Sequence, residues 1–353
     1  MIEAIVDPEK LIRASQLGGI TLVLGSGISV SSGLPNWNSL AQDLWREAFP
    51  TRRSPWQTKD GEGKSPLEVP QFLPIVFELA YHELKEKKFL KALHTNLYRN
   101  ARLPTRDGRF LESDETLAVL TRLVVQEFKR EGNRRIERIV TLNADDLLEQ
   151  AVSALVSEQA VSALVSEPYD VIWPVARPTS SAFRRPGSIP IYHIHGYLPF
   201  KGDYSGYMLV FTDSQYWSTS ATALAFANRV MLSALNETRC VFIGLSMTDI
   251  NLLRWVALRA LEWNRDVEEE ERLASELKLA ATGPIKTTAA VVRARYRGGK
   301  YREVFSQHFW IRPASSDPTE FLSEFLALRG IHSVELTDWT GPHFQRLMRK
   351  CFP

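Results

Sequence analysis

Residues 20–37 read Ile20-Thr21-Leu22-Val23-Leu24-Gly25-Ser26-Gly27-Ile28-Ser29-Val30-Ser31-Ser32-Gly33-Leu34-Pro35-Asn36-Trp37. A short, nearly continuous apolar run ends abruptly in Gly-Ser-Gly. Beyond it Trp37, Leu40, Leu44 and Ala48 recur at helical spacing, so Pro35 to Phe49 is expected to be a helix and residues 25–35 a strand-to-helix connection. Glycines there let the backbone approach a pyrophosphate closely, and N–H groups at a following helix N-terminus favour an anion. As a Rossmann fingerprint the stretch is imperfect: Val30 stands at the third glycine position. No acidic residue closes a second strand at the usual distance.

Working outward, further short apolar runs end in Gly, Ser, Asn or His and lead into helical periodicity: Ile139 to Leu142, Ile189 to His195, Tyr207 to Phe211, Cys240 to Ile243 and Phe309 to Arg312. Strands apolar on both faces belong to parallel sheets covered by helices, which gives an α/β class, a Rossmann-like doubly wound parallel sheet. Ligands are then expected beyond the carboxyl ends of the strands. Residues from about 50 to 130 lack a strong strand and carry amphipathic stretches such as Phe72 to Leu93, so an inserted helical layer is expected there, a candidate lid. The core is expected to span 1–330, leaving 331–353 as a short C-terminal tail, with Trp339, Phe344 and Leu347, too short to fold alone.

The 353 residues are 44% hydrophobic and 24% charged, an ordinary globular composition that excludes disorder or coiled coil for most of the chain. A net charge of +2 gives no general pull towards nucleic acid or membranes. The densest basic run, Arg293 to Arg302, and Arg134, Arg135 and Arg138 are read as solvated faces, as is the acidic run Glu268 to Glu271. Cys240 and Cys351 are too far apart and too few for a four-cysteine zinc site, so no metal is expected. No apolar run reaches membrane-spanning length and no leader opens the sequence, so a cytoplasmic protein without direct nucleic-acid binding is expected. Residues 149–166 hold an exact nine-residue tandem repeat starting at Glu149 and again at Glu158. Nine residues turn a helix by about half a rotation, so one copy is expected to project from the core, as a tolerated surface duplication or a self-association element.

Three more segments carry polar residues at strand ends. Thr141-Leu142-Asn143-Ala144-Asp145 closes one strand; Asn and Asp there are a helix cap or a ligand site. In Tyr192-His193-Ile194-His195-Gly196, alternation puts both histidines on one face, and an imidazole titrating near neutrality is a general base that needs no metal. Gly244-Leu245-Ser246-Met247-Thr248-Asp249-Ile250-Asn251 follows another strand, with Asp249 and Asn251 also able to cap the next helix.

In that order these segments resemble the sirtuin superfamily: Gly25-x-Gly27-x-Ser29-x-x-Ser32-Gly33-x-Pro35 is similar to its opening motif, and Thr141 to Asp145 to its Thr-Gln-Asn-x-Asp segment, with Leu142 in place of Gln. The His-Gly pair and the Gly-x-Ser segment also match. The resemblance implies NAD+ as substrate. It assigns Asn143 to a ribose or a water, Asp145 to the carboxamide and His195 as general base, with His193 packed behind. Gly25, Ser26 and Gly27 would bind the pyrophosphate, Ser29, Pro35 and Trp37 would also bind NAD+, and Gly244, Ser246 and Asp249 would hold the adenosine side. Two departures argue against acyl-lysine peptides: the family's four-cysteine zinc module has no counterpart, and Asn36-Trp37-Asn38 replaces an acidic-aromatic-Arg triplet.

Pro35-x-Trp37-x-x-Leu40 instead resembles the zinc-free sirtuin-like effectors of prokaryotic antiviral defence. That implies an NAD+ glycohydrolase releasing nicotinamide and ADP-ribose, silent until triggered, a homo-oligomer or an associate of a HerA-like ATPase or short Argonaute. A deacylase, a non-catalytic NAD or ADP-ribose sensor and a scaffold subunit are the alternatives.

Overall fold

A computed structural model describes residues 4–56, 72–103, 109–130, 132–158, 171–176, 187–202, 209–262, 308–314, 320–338 and 341–353, with Arg265 and Arg272. Seven strands form one sheet in the order β3-β4-β2-β1-β5-β6-β7, parallel throughout. They are β1 (Ile20–Leu24), β2 (Ile136–Thr141), β3 (Ile172–Val175), β4 (Ile189–His193), β5 (Arg239–Ile243), β6 (His308–Pro313) and β7 (Ile331–Leu336). The expected class is what the chain adopts.

Alternation along the strands separates two cores. Leu22, Leu24, Ile139, Ile191, Val241, Ile243, Phe309 and Ile311 face one layer, which includes α1 (Pro8–Gln16), α3 (Trp37–Ala48), α4 (Leu73–Tyr98), α6 (Thr116–Phe128) and α7 (Leu147–Glu158). The residues between them, Val23, Val140, Cys240, Phe242 and Trp310, face α9 (Phe226–Glu237), the helix over residues 250–262 (α10) and α11 (Glu320–Ala327). Covering both faces is what makes the inner strands read as unbroken apolar runs.

Between β1 and β2 the described residues hold only helices: the short α2 (Gly27–Val30), then α3, α4, α5 (Arg109–Glu112) and α6. α4 packs on α3 and is broken at exposed Lys85, whose φ of 64° lies in the left-handed region. α6 packs on α7 as a crossover helix of the core.

Three expectations differ from the structure. Leu209, Val210 and Phe211 are buried but form no strand: the Val210 N–H donates to the His195 carbonyl (2.9 Å) and Phe211 packs on Trp37 and Phe77. β4 ends at His193, so the alternation assumed for His195 stops one turn short of it. Residue 330 does not end the core either, because β7 completes the sheet and α12 (Pro342–Cys351) packs on α1 and α6. The second copy of the repeat, apart from Glu158, and both the acidic and the densest basic runs lie outside the described residues.

Candidate active site

Chain direction from β1 diverges to β2 on one side and β5 on the other, so the carboxyl end of β1 sits where an open α/β sheet leaves a crevice. A cleft of about 360 Å³ opens there, lined by Ser26, Ser29, Leu34, Pro35, Trp37, Leu40, Leu97, Asn143, Ala144, Asp145 and Phe211. It lies between the β1 and β2 loops. Six of the residues expected from the sequence therefore meet in one place.

The two loops are tied by side chains. Ser29, fully packed on α2, donates its hydroxyl to both oxygens of Asp145 (3.2 and 3.3 Å). Asn143 donates from Nδ2 to the Gly25 carbonyl (3.1 Å), and its backbone N–H to Thr141 Oγ1 (3.0 Å). Its Oδ1 is buried with no partner. A buried amide oxygen without a donor costs about 1–3 kcal/mol, so a ligand donor in the cleft would be rewarded.

Gly25 and Gly244 serve a different purpose from the one the motif suggests. A Cβ on Gly25 would stand 2.5 Å from the Gly244 carbonyl oxygen, and one on Gly244, at φ 69°, would stand 2.7 Å from the Ile28 nitrogen. The glycines let the β1 and β5 loops touch. The N–H groups of Gly25, Gly27, Ile28 and Ser29 donate to the carbonyls of Ile243, Gly244, Gly25 and Ser26 at 3.0–3.2 Å, so these donors are not free for a phosphate.

His195 is buried outside the cleft lining, in a box of rings: Trp37 at 6.4 Å between centroids, Tyr216 at 5.5 Å and Trp255 at 6.5 Å. Trp37 is the element shared by this box and the cleft. Neither imidazole nitrogen has a hydrogen-bond partner among the described residues. Burial pushes the ring below its ordinary value against the opposing charge of Asp249, so it is neutral at pH 7 and has an unused lone pair.

Asp249 caps α10 through the Leu252 N–H (2.8 Å) and accepts from the Tyr216 hydroxyl (2.9 Å). Ser246 is exposed and bonded to Thr248 (2.7 Å). Gly244, Ser246 and Asp249 thus stand on the β5 loop, none of them lining the cleft.

Behind Asn143 lies a polar cluster in which Asp145 and His193 are joined by two residues that the sequence did not announce, Asp146 and Glu149. Asp145 is pushed up to about 7, chiefly by burial and further by Asp146 and Glu149, while the Leu147 N–H and His193 oppose. Asp146 accepts from Tyr98 (3.0 Å), Gln150 (2.8 Å) and the Phe200 N–H (3.0 Å). Glu149 was hidden because it opens the repeat, which reads as a surface duplication. Its copy is core instead: Ala151 and Val152 are fully buried.

Among the described residues no group of three or more His, Cys, Asp or Glu is placed to hold a metal, and no helix is long and apolar enough to cross a membrane. No curated protein matches the sequence. The SIR2-like domain family matches residues 137–272, the span holding Asn143, Asp145, His195, Gly244 and Asp249, and this supports a sirtuin-like superfamily member.

Proposed function

We propose that the chain is an NAD+ glycohydrolase, cleaving NAD+ with water to nicotinamide, ADP-ribose and a proton. SIR2-like domains bind NAD+, and the family is compatible with NAD-related activity. The observation that carries the finer reading is the set of unsatisfied polar atoms around Trp37: Asn143 Oδ1 at the cleft and both nitrogens of His195 behind it.

The cleft, lined by Asn143, Asp145 and Trp37, takes the nicotinamide riboside end of NAD+ in this reading. NAD+ supplies an N-glycosidic bond to an already cationic leaving group. Asn143 Oδ1 accepts from a ribose hydroxyl or the attacking water and so orients it, and Asp145 meets the carboxamide. Neutral His195 takes the proton that the hydroxyl or water gives up.

Trp37 and Leu40, the aromatic and apolar positions of the defence-effector pattern, both line the cleft. We further propose an antiviral effector that depletes NAD+ on activation by assembly or by a partner such as a HerA-like ATPase or short Argonaute. The sealing of His195 from solvent favours a resting form that activation must open.

The test is chromatography of nicotinamide and ADP-ribose after incubation of the protein with NAD+, beside Asn143→Ala and His195→Ala. Release by the wild type, lost by at least about 100-fold in both variants, is expected. Turnover surviving both substitutions would remove these residues from the chemistry.

A further inference from the structure

His193 closes β4, is 1% exposed, and takes no part in the hydrolysis described above. Its Nε2 lies 2.6 Å from Glu149 Oε1 and its Nδ1 3.2 Å from the backbone oxygen of Asn143. A carbonyl only accepts, so Nδ1 must carry a proton. At Nε2 the short contact needs one more proton, held by the ring or by the carboxyl group. Wherever that proton rests, the pair has no net charge, and removing it leaves a buried negative charge facing Asp145 and Asp146.

Asn143 is thereby gripped at every polar atom but one. Its N–H is held by Thr141, its Nδ2 by Gly25 and its carbonyl by His193; only Oδ1 is left, at the cleft. We propose that Glu149 and His193 form a positioning pair that fixes Asn143 for the reaction, and that the grip is lost when the pair surrenders its shared proton at alkaline pH. The inference rests on the hydrolase reading for its kinetic consequences and on geometry alone for the pair itself.

The groups facing His193 are Glu149 and Asp145 around the start of α7 and the Tyr197 ring at 4.5 Å; Asp146 acts through Glu149, and Tyr98 of α4 through Asp146. Burial alone would lower His193, but Glu149, the Asn143 carbonyl and Asp145 outweigh it and hold the imidazole above its ordinary value. The grip is therefore complete below about pH 6.5 and fails as pH rises through the elevated folded value.

The experiment compares Glu149→Ala, Glu149→Gln and wild type by kcat and KM across pH, with the imidazole of His193 followed by nitrogen NMR. Glu149→Ala is expected to lower kcat by roughly 10- to 100-fold with KM little changed. Glu149→Gln can donate to a neutral imidazole whose Nδ1–H still holds Asn143, so it recovers most of that loss and abolishes the alkaline fall in kcat. In NMR, His193 should titrate above the ordinary value in wild type and below it in Glu149→Gln.

A folded Glu149→Ala protein with wild-type kcat, or a Glu149→Gln protein as impaired as Glu149→Ala, overturns the proposal. If Glu149→Ala does not fold, the alkaline limb of Glu149→Gln decides: its persistence overturns the pair. If wild type releases no nicotinamide without its activator, the NMR arm decides alone: an unchanged His193 titration between wild type and Glu149→Gln overturns the pair.

Discussion

Asp145 shows how one residue can be favourable for a ligand and unfavourable for the fold. Its carboxyl group accepts from the Ser29 hydroxyl and the Leu147 N–H, yet burial and the neighbouring Asp146 and Glu149 raise it from 3.8 to about 7. A carboxyl group raised on folding prefers to fold neutral. Its contribution is whole below the unfolded value near 4 and is lost as pH rises through about 7, a shift worth on the order of 4 kcal/mol. Asp145→Asn keeps both acceptor contacts on Oδ1 and removes the charge. It should melt higher than wild type at pH 8, with the gap closing towards pH 4. Calorimetric melting at the two pH values checks this; an equal gap at both would mean that Asp145 is ionised in the folded chain throughout.

The elements reveal what a sequence can announce and what it cannot. β1, β2, β4, β5 and β6 are legible because each is covered on both faces and so reads as an apolar run. β3 and β7 lie at the two ends of the ordered sheet; with half-buried positions in Trp173-Pro174, and with His332, Ser333 and Glu335 interrupting Ile331 to Leu336, they leave no such run. The reverse error at 209–211 has the same root: burial of Leu209 to Phe211 produces an apolar run whether or not the backbone pairs with a strand. Asn143 and Asp145, which line the cleft, were legible through their motif. Glu149 was not, because a carboxyl group whose partner His193 lies 44 positions along the chain has no local signature.

Loop glycines were also visible, but for a reason the motif hides. Gly25→Ala would drive its Cβ to 2.4 Å from Leu245 Cδ2 and 2.5 Å from the Gly244 carbonyl oxygen. The leucine can turn away; the carbonyl, bonded to the Gly27 N–H, cannot. Urea unfolding should show a loss of about 1–3 kcal/mol, and adding Leu245→Ala should not restore it. Restoration by the second change would mean that the side chain, not the contact between the β1 and β5 loops, makes glycine necessary.

At the scale of the whole molecule, the two ends of the chain close the same margin of the sheet. The Val6 N–H donates to Ser333 of β7 and the Ser333 N–H returns to Ala4, both at 2.9 Å, while α1 packs on α12. Residues 331–353 supply Ile331, Val334, Leu336, Phe344, Leu347, Met348, Cys351 and Phe352, all buried. At about 1.5–3 kcal/mol for each large apolar side chain, their removal exceeds the roughly 5–15 kcal/mol by which a domain is stable. It also strips β6 of its outer partner, leaving β5, and α1 of the helix it packs on. A chain cut after residue 330 should therefore fail to unfold cooperatively or to stay in solution, and Phe344→Ala alone should cost about 3–5 kcal/mol. Denaturant titration of the two beside wild type decides the matter. A truncated chain with the wild-type midpoint would make 331–353 an accessory tail, as its length alone suggests, whereas its collapse would make those residues the last layer of the core.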